Sequence, residues 1–411
     1  MEEAGAPFET PREARSLPPL PETAPLEEVL RYAFLSNAGI EERFFEWKMA
    51  MERIPQAVSA DDPRLSIERL FSDERLSRWD RWTLGASQMV PFPGKLEAAG
   101  QVAFDEAIAA RRRFEDARFG LRARVVTAWH DLSLADRHIE IGERNLALLR
   151  DFAESTRARI EVGGATQADA TKADLEEASA ESELLTRRSE RPPALARLNA
   201  LLSRPPEAPL RPAAPTVLSD LPGTDSEVLV LAAERNRELQ AMAAEVRGRE
   251  DALELARLAY LPDFEFSFSV EGTMERMLGA MISAPLRLDR IRAGIEEAGA
   301  GVRRARAAAR TRRDELGAQV VLQLFVARDT ARQAEVLRGA LLPRAREVVD
   351  AIRAGYASGT RSYLELLDAQ RSLLDLDLAL ARSEAMHEQA IAELGALCAV
   401  DFDGPTGEGR R

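Results

Sequence analysis

Phe264-Glu265-Phe266-Ser267-Phe268-Ser269-Val270-Glu271 alternates apolar and polar residues at every step. A period of two puts the four apolar side chains on one face of a strand and the four polar ones on the other. Gly272-Thr273 supplies a turn, and 277–286 reads as the return strand. The flanking segments, 226–260 and 289–357, carry helical spacing instead. A lone hairpin is marginal in water, so strands set between long helices need further strands to pair with.

The chain supplies a second set itself, because it is one design written twice. Glu28-Val29-Leu30 recurs as Glu227-Val228-Leu229, Asn37 as Asn236 and Pro63 as Pro262. Gly85-Ala86 before Pro91 recurs as Gly279-Ala280 before Pro285, Gly163 as Gly359, and Leu198 as Leu394. The offset is 194–199 residues, far longer than a solenoid unit of roughly 20–50 residues. A whole helix–hairpin–helix block has been duplicated.

The organisation follows from this. Residues 1–25 form a Pro-rich N-terminal tail, 26–204 the first repeat, 205–224 a Pro-rich linker, 225–402 the second repeat, and 403–411 a flexible C-terminal tail. In the first repeat a helix over 26–57 precedes a hairpin over 64–92, with strands at 64–71 and 79–90. No proline occurs from 95 to 161, which predicts one helix of about 65 residues, roughly 100 Å at 1.5 Å per residue. Gly163-Gly164 ends it, and a helix over 166–202 follows, kinked at Pro192-Pro193. The second repeat has a helix over 226–260, a hairpin over 263–287, a helix over 289–357 with a kink or break at Pro343, a turn at Gly359-Thr360 and a last helix over 362–400. Ile291, Ile295, Ala298, Val302, Ala305 and Ala309 follow heptad spacing, with Leu316 and Val320 in phase. Periodicity alone fits an ordinary antiparallel coiled-coil hairpin equally well.

Composition excludes several classes. A net charge of −13 argues against a nucleic-acid partner, which would need a basic face. Cys398 is the only cysteine, so neither an intrachain disulfide nor a structural zinc site is expected. No apolar run reaches the roughly 18 residues of a membrane helix. No nucleophile elbow, Walker loop, zincin motif or C-x-x-C occurs. His130, His138 and His387 read as isolated surface imidazoles, so the expectation is no enzyme, no cofactor and no metal site. Met1-Glu2-Glu3 is acidic where a secretory leader is basic and then apolar. Taken literally that means a cytoplasmic protein; the strands argue instead for a start set after a removed or misassigned leader. No cysteine near Met1 supports a lipid anchor.

If several copies closed their hairpins into one barrel, the sheet edges would vanish. Phe264, Phe266 and Phe268 would then face lipid, and Glu265 and Glu271 a lumen. The first hairpin fits less well, being rich in charge from Arg64, Glu68 and Arg69 through Asp73, Glu74, Arg75, Arg78, Asp80 and Arg81.

Three stretches then resemble one family. They are the duplicated Asn-to-Pro helices (Asn37/Pro63 and Asn236/Pro262), the segment Gly85-Ala86-Ser87-Gln88-Met89-Val90-Pro91-Phe92-Pro93-Gly94-Lys95, and the run from Gly355-Tyr356-Ala357-Ser358-Gly359-Thr360-Arg361-Ser362-Tyr363 to Leu364-Glu365-Leu366-Leu367-Asp368-Ala369-Gln370. Over 26–402 the chain is similar to the TolC-type outer-membrane efflux proteins, and its Ser-Gln-x-x-Pro-x-Pro-Gly-Lys form to their heavy-metal and cation exporter branch. The resemblance implies a mainly α fold with a small β part. Long antiparallel helical hairpins would form an α-barrel, and four strands per protomer a trimeric twelve-stranded β-barrel. It implies a homotrimer in the outer membrane extending into the periplasm, the exit duct of a tripartite pump. Its partners would be outer-membrane lipid, a periplasmic adaptor and an inner-membrane transporter. The turns at Gly163, Gly164, Thr166, Gly359 and Thr360 would dock the adaptor. Tyr356 and Arg361 would latch the periplasmic tip against Asp169, and Glu365 and Asp368 would form an acidic ring at its constriction. The competing reading is a soluble or periplasmic coiled-coil scaffold or adaptor without a pore, which the charged first hairpin and the absent leader favour.

Overall fold

A computed structural model describes residues 7–70, 81–161, 163–213, 218–220, 223–271 and 275–402. In chain order, β1 (Thr23–Ala24), α1 (Leu26–Ser36) and α2 (Ala38–Val58) lead to β2 (Arg64–Leu70) and β3 (Arg81–Val90). Next come α3 (Lys95–Glu161), α4 (Gln167–Leu201) and β4 (Arg211–Pro212). The second repeat contributes α5 (Asp225–Arg235), α6 (Arg237–Arg257), β5 (Asp263–Glu271), β6 (Glu275–Ser283), α7 (Leu288–Val336), α8 (Leu342–Ala357) and α9 (Tyr363–Cys398). The expected turn at Gly272-Thr273, the charged residues 73–80 and the tail 403–411 lie outside the described residues.

Two compact units emerge, and each draws on both repeats. One comprises Met1–Glu41, Asp116–Asn236 and Glu315–Arg411; the other comprises Glu42–Glu115 and Arg237–Asp314.

The expected single helices over 26–57 and 226–260 each turn out to be two. Asn37 and Asn236 adopt non-helical ψ angles of 120° and 122° and separate them. The Asn37 amide donates to the Leu201 carbonyl at 2.7 Å, and its Oδ1 accepts from the Ile40 N–H at 3.1 Å. The Asn236 amide donates to the Leu397 carbonyl at 2.9 Å. The duplicated asparagine therefore breaks a helix and ties the break to the end of another. β1 pairs in parallel with β4, Thr23 opposite Arg211, joining the N-terminal tail to the inter-repeat linker.

The histidines are not on the surface: His130, His138 and His387 are 4%, 8% and 1% exposed. Helices of a bundle bury more than one face, so a polar ring on them can be enclosed. His130 meets Trp129 edge-on at 5.0 Å, and burial pulls its pKa down to about 4, so it packs as a neutral ring. His387 places its two ring nitrogens 2.8 Å from the Ala327 carbonyl and 2.9 Å from the Ser219 carbonyl. Glu388 accepts from the Ser219 N–H at 2.6 Å and hydroxyl at 2.8 Å, so two consecutive α9 residues clasp the linker.

The prolines are absorbed rather than disruptive. α4 runs through Pro192 and Pro193 without a break, with Arg191 beside them bound to Asp136 at 2.5 Å and to the Leu210 carbonyl at 3.2 Å. At Pro343 the chain stays helical through a wide π-turn, Leu337–Leu341, which accommodates the missing N–H and the ring.

The second unit carries a four-stranded antiparallel sheet in the order β2-β3-β5-β6. Lys95 pins its base: Nζ donates to Asp263 at 2.8 Å and to the Leu261 carbonyl at 2.9 Å, while the Phe92 N–H donates to Asp263 at 2.9 Å. The Pro-Phe-Pro-Gly-Lys segment is thus the joint between β3 and α3, fastened to the start of β5. In the same unit the expected heptad residues, from Ile291 to Ala309, form the less exposed stripe of α7.

Candidate functional site

Two features stand out: the paired glycine turns in the first unit, and the two faces of the sheet in the second.

The turns are copies of each other. Gly163 and Gly359 have φ of +74° and +79°, a left-handed conformation that costs glycine nothing. The Gly163 N–H donates to the Ile160 carbonyl and the Gly164 N–H to the Arg159 carbonyl, at 3.0 and 2.8 Å. The Gly359 N–H donates to the Tyr356 carbonyl and the Thr360 N–H to the Gly355 carbonyl, at 3.0 and 2.9 Å. Each turn then opens a helix with a capping box, Thr166 with Asp169 and Ser362 with Glu365. Gly163, Gly164, Thr166, Gly359 and Thr360 are all exposed.

Asp169 and Glu365 therefore occupy equivalent positions for a local reason. Asp169 accepts from the Thr166 N–H at 2.9 Å and from its hydroxyl at 2.8 Å. Glu365 accepts from the Ser362 N–H at 2.8 Å and from Arg361 at 3.0 Å. The Ser362 N–H, then Arg361, holds the Glu365 carboxyl below the usual carboxylate range. Asp368 lies one turn further along α9 and is exposed.

The expected latch of Tyr356, Arg361 and Asp169 is not assembled within the chain. Arg361 pairs with Glu365 of the helix it precedes, and Asp169 closes its own cap, because a carboxylate three residues past the cap lies within reach of the unsatisfied N–H groups there. Tyr356 turns instead to α3. Its hydroxyl meets Thr156 Oγ1 at 2.8 Å, while Thr156 donates to the Phe152 carbonyl. The Arg159 guanidinium lies over the Tyr356 ring, 4.3 Å from the centroid, and donates to the Tyr356 carbonyl and, at 3.1 Å, to the Gly164 carbonyl. One side chain thus bridges both turns. Beneath it Leu149, Phe152, Ala153, Ala173, Tyr356, Tyr363, Leu366 and Leu367 form one core cluster. The Tyr363 hydroxyl is buried and finds no hydrogen-bond partner among the described residues. Burial first, then the negative field of Tyr356, Glu176, Asp169 and Asp174, pushes its pKa up to about 12. Sequence reasoning missed Arg159 and Thr156. Their only signal was lying four and seven residues before Gly163, on the helix that enters the turn.

The sheet sorts its residues by face. Directly paired residues share a face. Phe264, Phe266, Phe268 and Val270 thus lie with Val90, Gln88, Ala86 and Leu84 of β3 and with Ile282, Ala280, Leu278 and Arg276 of β6. Leu65, Ile67 and Arg69 of β2 extend the same face, opposite Ala86, Leu84 and Trp82. It is exposed: Leu65 82%, Leu278 87%, Phe266 55% and Phe268 43%. Phe264 is half-buried, stacked on Phe92 with centroids 6.5 Å apart. Arg69 does not spoil this face, since its guanidinium lies 4.9 Å from the Trp82 ring centroid. The opposite face carries Glu68, Ser66, Thr83, Gly85, Ser87, Glu265, Ser267, Ser269, Glu271, Glu275 and Gly279. β2 and β6 are the outer strands, each paired on one side only among the described residues.

Among the described residues no helix is long and apolar enough to cross a membrane, and no group of three or more His, Cys, Asp or Glu is placed to hold a metal ion. The sheet presents an exposed apolar face.

Known proteins bear on this geometry. The fold is that of solved outer-membrane channels. The crystal structures of CusC superpose with a TM-score of 0.80 at 17% identity, covering 92% of each chain. The outer membrane protein VceC from Vibrio cholerae superposes with a TM-score of 0.78 at 19% identity, covering 92% of this chain and 97% of that one. In sequence the chain is 26% identical over 359 residues to the cobalt-zinc-cadmium resistance protein CzcC of Cupriavidus metallidurans, covering 85% of this chain and 83% of that protein. The outer membrane efflux protein family matches residues 54–204 and 228–399, one stretch in each repeat. With most of its length matched in both halves, this chain belongs to the outer membrane efflux protein family.

Proposed function

We propose that three copies of the chain form the outer-membrane exit duct of a tripartite efflux pump. The carrying observation is the four-stranded sheet with one exposed apolar face, one polar face and two outer strands. Joining the outer strands of three copies satisfies their edges and gives a closed twelve-stranded barrel. The apolar face, with Phe264, Phe266 and Phe268, then meets lipid, and the polar face lines the pore. Transport energy comes from an inner-membrane transporter reached through a periplasmic adaptor, so this chain acts as a conduit and not as an enzyme. The exposed turns at Gly163, Gly164, Thr166, Gly359 and Thr360 are the adaptor's docking points. Asp368 and Glu365 give the tip an acidic ring, which favours cations; the name of the 26%-identical relative points the same way.

The gate rests on Arg159 and Tyr356. Arg361 and Asp169 contribute through their own helix starts rather than as a pair. Single-channel recording of the full chain in planar bilayers tests both levels. The expected result is stepwise conductance from an oligomer with the mass of three copies. R159A should raise conductance several-fold above the D169A/R361A double variant. A detergent-purified monomer giving no steps would overturn the duct, and equal conductance of the two variants would overturn the assignment of the gate to Arg159.

A further inference from the structure

Among the described side chains on the polar face of the sheet, the apolar ones are Met89, Met277 and Met281. Register puts Met89 opposite Glu265 and Glu265 opposite Met281, so the three form one row across β3, β5 and β6. Met277 lies on the same face, opposite Ser269. Met281 and Met277 are 63% and 54% exposed. The other described side chains on that face are serine, threonine, glycine or charged residues, so strand packing does not call for methionine there.

A thioether is a soft, neutral donor, and a carboxylate beside two of them adds one negative charge. Directly opposed residues have Cβ atoms about 4.5–5.5 Å apart, so Met89 and Met281 flank Glu265 at that spacing on either side. Methionine is unbranched with three rotatable bonds, so both sulfurs can reach a point above the carboxylate. The result is an S–O–S donor set whose charge matches a monovalent soft cation. The strands carry no cysteine or histidine, so no donor there would trap the ion. A conducting pore needs sites that bind well enough to admit an ion and weakly enough to release it.

We infer that Met89, Glu265 and Met281 form a transit site for soft monovalent cations of the copper(I) and silver(I) class. The site rests on the duct reading for its position inside a pore, but not for its existence. Three copies would carry three such sites at one level of the barrel.

The test uses the full chain in detergent, with silver(I) nitrate as the probe in chloride-free buffer and bound silver read by equilibrium dialysis. M89L/M281L keeps side-chain volume and removes both sulfurs, and E265Q removes the charge. Circular dichroism checks that each variant is folded, and M386L, on α9 outside the sheet, controls for methionine in general. Silver binding should weaken at least tenfold in M89L/M281L and several-fold in E265Q, with M386L unchanged and equimolar zinc(II) failing to displace silver. Silver bound equally well by M89L/M281L and the parent chain, or displaced by equimolar zinc(II), would overturn the site. Methionine-dependent binding by a chain that forms no pore would uphold the site and sink the duct instead.

Discussion

Tyr363 has its ring packed 5.9 Å from that of Tyr356 and its hydroxyl buried without a hydrogen-bond partner among the described residues. An unsatisfied buried hydroxyl contributes nothing favourable, so Y363F should leave stability at neutral pH unchanged or raise it by up to about 1 kcal/mol. The alkaline limb should differ more. The folded-state pKa is pushed up to about 12, whereas an unfolded tyrosine titrates near 10. The folded state therefore holds the proton more tightly. The associated stability is fully present below about pH 10 and is lost as pH rises towards 12. Thermal melts of the helical signal should show a smaller drop between pH 9 and 11.5 for Y363F than for the parent chain. Parallel pH profiles would show that Tyr363 is not the group concerned. Arg159 teaches a different lesson at this scale. Its partners are Gly164 nearby and Tyr356, 197 positions away. No periodicity announces a contact of that range, whereas Tyr356 and Arg361 were legible because they sit beside the turn itself.

At the scale of elements, legibility follows the range of the forces involved. The 67-residue α3 was readable because nothing in 95–161 interrupts a helix. β5 was readable because period-two alternation is a property of consecutive residues. The two asparagine breaks were not, because Asn37 and Asn236 leave the helix to donate to carbonyls of Leu201 and Leu397, far along the chain. The burial of the histidines escaped for the same reason. Capping lies between these cases: Thr166-x-x-Asp169 and Ser362-x-x-Glu365 are local patterns whose meaning emerges only when the glycine turn is placed before them. This assigns Thr166 a measurable role. T166A should cost about 0.5–2 kcal/mol at the start of α4. Exchange of the amides at positions 166 and 169 should then speed up roughly tenfold, since a tenfold change corresponds to about 1.4 kcal/mol. T166S, which restores the hydroxyl, should return exchange to the parent rate. Unchanged exchange in T166A would mean that the box adds nothing to the turn.

For the whole molecule, the question is which face of the sheet meets lipid. Among the described residues no helix is long and apolar enough to cross a membrane, and the sheet carries an exposed apolar face. The apolar face spans from the row of Val90, Phe264 and Ile282 to the row of Ile67, Leu84, Val270 and Arg276. Six residues separate these rows, about 20 Å at 3.3 Å per residue, close to the roughly 25 Å apolar band of outer-membrane barrels. Arg69 over Trp82 lies just past one end of that band, where an aromatic ring and a guanidinium suit the interface. Phe266 and Ser267 are neighbours near the middle that point to opposite faces. F266R should therefore cost about 2–4 kcal/mol per protomer in lipid and sharply reduce the fraction recovered in reconstituted liposomes. S267R should insert as the parent chain does, and should lower single-channel conductance by adding positive charge to the polar face. The opposite pattern, with S267R excluded from liposomes and F266R inserted but poorly conducting, would turn the barrel inside out. Equal behaviour of the two variants would mean that neither face meets lipid and that the sheet edges close in some other way.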